Sequence, residues 1–295
     1  MSTLTDAELL QFNQLGLIPG PEENETEFVN RAQYCLQLKN VLPSLLEREQ
    51  VVDTPLARQL IQDAAKTTRK LFDITPEWVP VIFSNHRLAF WHGGCAWIFQ
   101  FNAETPTAAF FQLRQAFSSA SHYLGLYDRE ELIAHESAHV GRMLFQEPKF
   151  EETLAYRTAK SRFRQWLGAI VQSSWESLLF VFIIVISLFI DSAALFWGEQ
   201  ELYSSALAVK ALLIFLIAFG IGRSWLRQKQ LSRCLHALQN ALGDADLANA
   251  VAYRLQDKEI ISFGSMSPKE IKQYANEQAE LSLRWRLINL AYFRS

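Results

Sequence analysis

His135-Glu136-Ser137-Ala138-His139, inside the longer stretch 128–145, decides how this chain of 295 residues is read. Asp128 followed three residues later by Glu131 is a capping-box start. Residues 129–145 hold one Gly and no Pro, so the stretch predicts a helix. A step of four residues is about one helical turn and stacks the two imidazoles on one face, with the Glu136 carboxylate beside them. Leu132, His135, His139 and Met143 are expected to form one stripe that faces a core rather than water. Such a helix supplies two of the three protein ligands of a catalytic zinc, together with a carboxylate placed to act as general base.

A third ligand is expected across the next turn. Gln146-Glu147-Pro148 ends the motif helix, and a second helix starts at Lys149. His139 lies before this turn and Glu152 after it by similar distances, so an antiparallel helix pair brings them to the same depth. Glu151 and Glu152 point about 100° apart, so only one is well aimed. Glu152 shares its face with Ala155, Tyr156, Ala159 and Phe163, where small residues permit close helix approach. Glu152 is therefore the expected ligand and Glu151 the alternative.

Two apolar runs follow. Residues 178–197 are interrupted only by small polar residues and Asp191, and residues 205–222 by Lys210. Each approaches the roughly 20 residues that cross a bilayer. The short segment 198–204 between them predicts a helical hairpin, with Trp175, Trp197, Tyr203 and Trp225 at its ends. Arg157, Lys160, Arg162 and Arg164 precede the hairpin, and Arg223, Arg227, Lys229 and Arg233 follow it. The connecting segment carries Glu199 and Glu201 and no base. Bases stay on the cytoplasmic side, so both large segments are expected in the cytoplasm and the bilayer is an expected partner. Asp191 and Lys210 fall at matching depth and are expected to pair across the hairpin.

The rest of the chain gives an α+β expectation: mostly helical, with a small antiparallel sheet. Residues 1–22 read as polar, ending in a rigid Leu17-Ile18-Pro19-Gly20-Pro21 segment, and 24–49 and 55–71 as helices. Residues 78–84, 88–91 and 95–101 read as a meander of strands, with His86 and His92 in its turns. For 107–117 a fourth strand and a helix compete. Ser267-Pro268-Lys269-Glu270 starts a helix that runs toward the C-terminus. Its Arg284, Arg286 and Arg294 face either a membrane surface or the rest of the protein. The division expected is 1–72 helical, 73–165 the unit with the motif, 166–228 the hairpin and 229–295 helical.

A net charge of −3 and a pI near 6.1 give no electrostatic reason for nucleic-acid binding. Cys35, Cys95 and Cys234 are scattered, which excludes a CxxC-type metal site and reads as reduced thiols. The first residues show neither a basic start nor an apolar run, so no signal peptide is expected.

Leu132-Ile133-Ala134-His135-Glu136-Ser137-Ala138-His139-Val140 resembles the zinc-binding helix of the zincin metallopeptidases. Glu152-Thr153-Leu154-Ala155 is similar to the Glu-x-x-Ala segment that carries the third ligand in many gluzincins. The resemblance covers residues 78–157 and implies a minimal zincin. Zn²⁺ would be held by His135, His139 and Glu152, Glu136 would be the general base, and an edge strand would hold an extended peptide substrate. The interval from His139 to Glu152 is shorter than in thermolysin, and Tyr156, His122 and Tyr127 are candidates for stabilising an oxyanion. Site-2-type proteases set the motif in a span, whereas Asp128, Arg129, Glu130 and Glu131 make this helix polar. Di-iron carboxylate proteins need two Glu-x-x-His pairs, and one is present here. The competing expectation is a membrane-tethered scaffold or adaptor with a structural metal or none.

Overall fold

The computed structural model describes residues 4–45, 54–170, 174–198 and 200–293. It is mostly helical, with two small sheets. The segment expected to be merely polar contains a helix, α1 (Asp6–Gln14), which Thr5 and Glu8 close with a reciprocal capping box. Asn24 and Glu27 cap α2 (Glu25–Leu45) in the same way. Residues 46–49, the expected end of that helix, lie outside the described residues. Thr54 caps α3 (Pro55–Phe72), with Pro55 in the first turn and the left-handed Asp73 at its end.

The larger sheet is mixed rather than an antiparallel meander. Its strands are β1 (Val81–Phe83), β2 (Gly94–Phe99) and β3 (Ala108–Leu113), in the order β1-β3-β2. β3, placed where strand and helix competed, is central; it pairs in parallel with β1 and antiparallel with β2. Both its faces are largely covered, so its sequence lacks the alternation of a half-exposed strand. Residues 88–91 are not a strand. Arg114 donates to the carbonyls of Leu88, Ala89 and His92, which curls this segment into turns. A tight hairpin, β4 (His122–Tyr123) and β5 (Tyr127–Asp128), leads into α4 (Arg129–Gly141).

After α4 come α5 (Pro148–Ala155), a 3₁₀ turn at Tyr156–Thr158, α6 (Arg162–Leu167) and a further turn at Gly168–Ile170. The helix begun at Pro148 therefore stops before Phe163, which belongs to α6. Two helices long and apolar enough to cross a membrane follow, α7 (Ser174–Trp197) and α8 (Gln200–Leu242). The connection is shorter than expected: left-handed Gly198 caps α7, and Glu201 lies in the first turn of α8, where the helix dipole favours a carboxylate. Glu199 lies outside the described residues. Lys210 Nζ sits 2.7 Å from Asp191 Oδ1 across the hairpin. No Pro interrupts 223–233, and α8 continues for 43 residues, about 65 Å at 1.5 Å per residue.

The chain closes with α9 (Ala245–Tyr253), α10 (Asp257–Phe263), α11 (Pro268–Ala279) and α12 (Leu283–Ile288). Ser267 and Glu270 form the expected capping box, but the helix breaks after Ala279. The break turns Arg284 and Trp285 inward onto Glu259, at 2.9 and 2.8 Å. Arg284 is thus buried and Arg286 reaches Asp6, which removes both from a membrane-facing surface; Arg294 lies outside the described residues.

Three apolar clusters meet around α4 and α5. Ile133, Ala134 and Val140 pack toward the sheet, α2 and α3. Phe150 and Leu154 pack on Leu231, Cys234 and Leu238 of α8 and on the C-terminal helices. Ala138 and Phe145 join Leu9, Phe28, Phe72 and Tyr253. The motif helix is consequently enclosed nearly all round. Its deepest positions are Ile133, Ala134, Ser137, Ala138 and Val140; of the expected stripe Met143 is buried, while Leu132, His135 and His139 are half-buried. Leu132 and His135 line a cleft, whereas His139 faces Glu151 and Glu152 of α5.

Candidate metal centre

Asp128 Oδ1 accepts from Glu131 N at 2.9 Å and starts α4, but Glu131 does not return the bond. Its carboxylate is taken by Arg164 at 2.8 Å and by Lys160 N at 3.2 Å. The start of the motif helix is thereby tied to the segment that leads to the apolar hairpin.

One turn along, His135 Nε2 and His139 Nε2 lie 3.2 Å apart. The turn through left-handed Gln146 brings α5 back, so that Glu152 Oε2 lies 3.6 Å from His135 Nε2 and Glu152 Oε1 3.7 Å from His139 Nε2. Among the described residues, these three form the group able to hold a metal ion, their ligand atoms all within 4.8 Å of one another. A tetrahedral zinc with bonds of about 2.0–2.1 Å separates its ligand atoms by about 3.3 Å, so the donor set fits with small adjustments. Glu151 takes the other nitrogen. Its Oε1 is 3.0 Å from His139 Nδ1 and its Oε2 2.9 Å from Arg142 Nε, while Arg142 Nη1 donates to the carbonyls of Tyr253 and Leu255. The two neighbouring glutamates thus address opposite nitrogens of one ring.

Glu136 points the other way, toward the sheet, and its Oε2 accepts from Ala96 N of β2 at 2.8 Å. β2 pairs with β3 along Gly94–Phe99, and Ala96 N turns away from that ladder to Glu136, so at Ala96 the outer edge of β2 meets α4. A cleft of about 120 Å³ opens beside α4 at the start of β2, lined among others by His92, Gly93, Tyr127, His135, Glu136 and Tyr156. The Tyr156 ring lies 4.5 Å from that of His135. His122 instead faces Asp128 at 3.5 Å on the exposed hairpin, and the His86 carbonyl accepts from Gln112.

The electrostatics favour a cation. Burial pushes the Glu136 and Glu152 carboxyls up and holds His135 well below its ordinary value. Burial also opposes charge on His139, yet the Glu151 hydrogen bond and charge raise it to about 9. Burial works against ionisation of Glu151 too, but Arg142 holds its carboxyl low. Glu151 is thus held as a carboxylate by Arg142, while burial disfavours charge on Glu136 and Glu152. A proton on His139 or a divalent ion supplies the positive charge that offsets this penalty.

No known protein family, curated protein or solved structure matches the chain.

Several participants were not singled out from sequence. Arg142 carried a usable signal, since it lies three residues after His139 on an adjoining face. Ala96 acts through its backbone and carried none. Gly168 is required by close approach: a Cβ there would stand 2.1 Å from the Tyr156 ring. At Gly94 a Cβ would meet the Gln112 carbonyl at 2.5 Å, so β2 can lie against β3 only with glycine there.

Proposed function

We propose that this chain is a membrane-anchored zinc-dependent metallopeptidase that acts on peptide bonds at the cytoplasmic face. The observation that carries the reading is the convergence of His135 Nε2, His139 Nε2 and a Glu152 oxygen within ligand distance, next to a separately held Glu136. A bound zinc supplies a Lewis acid that polarises a peptide carbonyl and acidifies a water.

The protein's own groups do the rest. Glu136 is held through Oε2 by Ala96 N, which leaves Oε1 to take a proton from the attacking water and return it to the leaving amine. Glu151, fixed by Arg142, orients the His139 ring. The outward edge of β2 carries backbone groups that bind an extended peptide beside the cleft. Tyr156, which lines the cleft with its ring against His135, would donate to the developing oxyanion. The hairpin of α7 and α8 crosses the bilayer, and the bases on both flanks keep the two large segments on the cytoplasmic side.

Metal analysis of the purified full chain tests the reading. About one zinc per chain is expected, and His135→Ala should lose it. Glu136→Gln should keep the zinc and abolish proteolysis in the native cell. A wild-type chain without zinc, or a cell indifferent to Glu136→Gln, would favour the scaffold alternative.

A further inference from the structure

α6 is held against the foot of the apolar hairpin. Ser224 Oγ of α8 donates to the Trp166 carbonyl at 3.1 Å, and Gln228 Nε2 to the Gln165 carbonyl at 3.0 Å. Trp225 lies between these contacts in sequence, exposed, with the Lys229 ammonium 5.0 Å from its ring centre. An aromatic next to a base at the end of an apolar run marks the headgroup level. α6 therefore lies at that level. Phe163 and Trp166, three residues apart, form its open face, and Phe163 is 71% exposed.

The apolar surface continues from α6 to the cleft. Arg164 donates to the Leu126 carbonyl, which brings the β4–β5 hairpin tip beside α6. Tyr123 donates to the Phe90 carbonyl and ties that hairpin to the loop before His92, at the cleft mouth. Phe90 is 69% and Leu126 67% exposed. Leu124, also exposed, occupies a left-handed turn position (φ +53°) beside Gly125 (φ +65°), where Asn-Gly is the ordinary choice. A leucine there is unfavourable for the backbone and, in water, for the side chain. A lipid environment removes the second penalty. Exposed Arg162 flanks the patch, where a base suits anionic headgroups, while Lys160 is engaged by Asp128 and Glu130.

We propose that Phe163, Trp166, Leu124, Leu126 and Phe90 form an interfacial surface that inserts among lipid headgroups and seats the mouth of the cleft at the membrane face. This rests on the reading of α7 and α8 as spans. It places the site in reach of polypeptide at the bilayer surface rather than of distant soluble protein.

The test uses the full chain with a polarity-sensitive fluorophore on single introduced cysteines, reconstituted in phosphatidylcholine–phosphatidylglycerol vesicles. The positions are Phe90→Cys, Leu126→Cys and Phe163→Cys, with Leu281→Cys, exposed between α11 and α12, as control. All variants carry Cys95→Ser, because Cys95 is half-buried, and the chain with Cys95→Ser alone, whose Cys35 and Cys234 are buried, is the labelling blank. Lipid carrying a nitroxide near the headgroup should remove most of the emission at the three sites and leave that at Leu281→Cys. Leu188→Cys, in α7, should respond to a nitroxide at the bilayer centre. If Leu188→Cys responds and the three sites behave like Leu281→Cys, the interfacial surface is wrong and the spans stand. If Leu188→Cys is silent, the spans are wrong and the surface falls with them.

Discussion

Glu151 Oε1 lies 3.0 Å from His139 Nδ1, on the side of the ring opposite Glu152. The contact orients the imidazole and leaves Nε2 free to face His135. Glu151→Gln keeps the size of the side chain and removes its charge. It should weaken zinc retention about 10- to 100-fold, the usual loss when a ligand's supporting carboxylate is removed. Competition with a chelator measures this. An unchanged affinity would make Glu151 a partner of Arg142 alone.

Gly168 lies beneath the Tyr156 ring, where any Cβ would stand 2.1 Å from ring carbon. Gly168→Ala should cost about 1–3 kcal/mol through overpacking and displace Tyr156 from the cleft. Combining it with Tyr156→Ala should recover much of that loss, because the clash is specific to this pair. Thermal unfolding of the two single variants and the double variant gives the coupling.

The three thiols share one prediction. Burial pushes Cys35, Cys95 and Cys234 up to about 12. Because the thiolate is the nucleophile, alkylation at pH 8 should be slow in the folded protein, rise as the pH approaches the raised value, and become fast at all three on denaturation. Cys95, only half-buried, should react first. Rapid native alkylation of Cys35 or Cys234 would contradict the packing around them.

Topology can be read independently of any metal. Gln200 opens α8 at the hairpin tip, while Lys66 and Lys269 are exposed on the two large segments. In intact cells an impermeant thiol reagent should label Gln200→Cys and reach Lys66→Cys and Lys269→Cys only after permeabilisation. Labelling of Lys269→Cys from outside would invert the orientation.

Local rules carried much of the architecture. The four-residue spacing of His135 and His139 sets both rings on one face of α4 through helical periodicity alone, and the Pro148 turn returns Glu152 to their depth. The Ser267 capping box, the start of α3 at Pro55 and the matched depths of Asp191 and Lys210 follow from the same short-range regularities. Long-range contacts decided the rest. The parallel pairing of β1 with β3 depends on Arg114 gathering the carbonyls of 88–92, which makes that segment turns although its composition suits a strand. The break between α11 and α12 depends on Glu259, remote in sequence, drawing Arg284 and Trp285 inward. Glu151 and Glu152 are alike as residues in a helix. Only the packing of α5 on α8 and the anchoring of Arg142 on the carbonyls of Tyr253 and Leu255 give one glutamate the Nδ1 side of His139 and the other the Nε2 side. Periodicity fixes where side chains point around their own helix, whereas the partner each one meets is set by apolar burial and charge pairing between segments far apart in the chain.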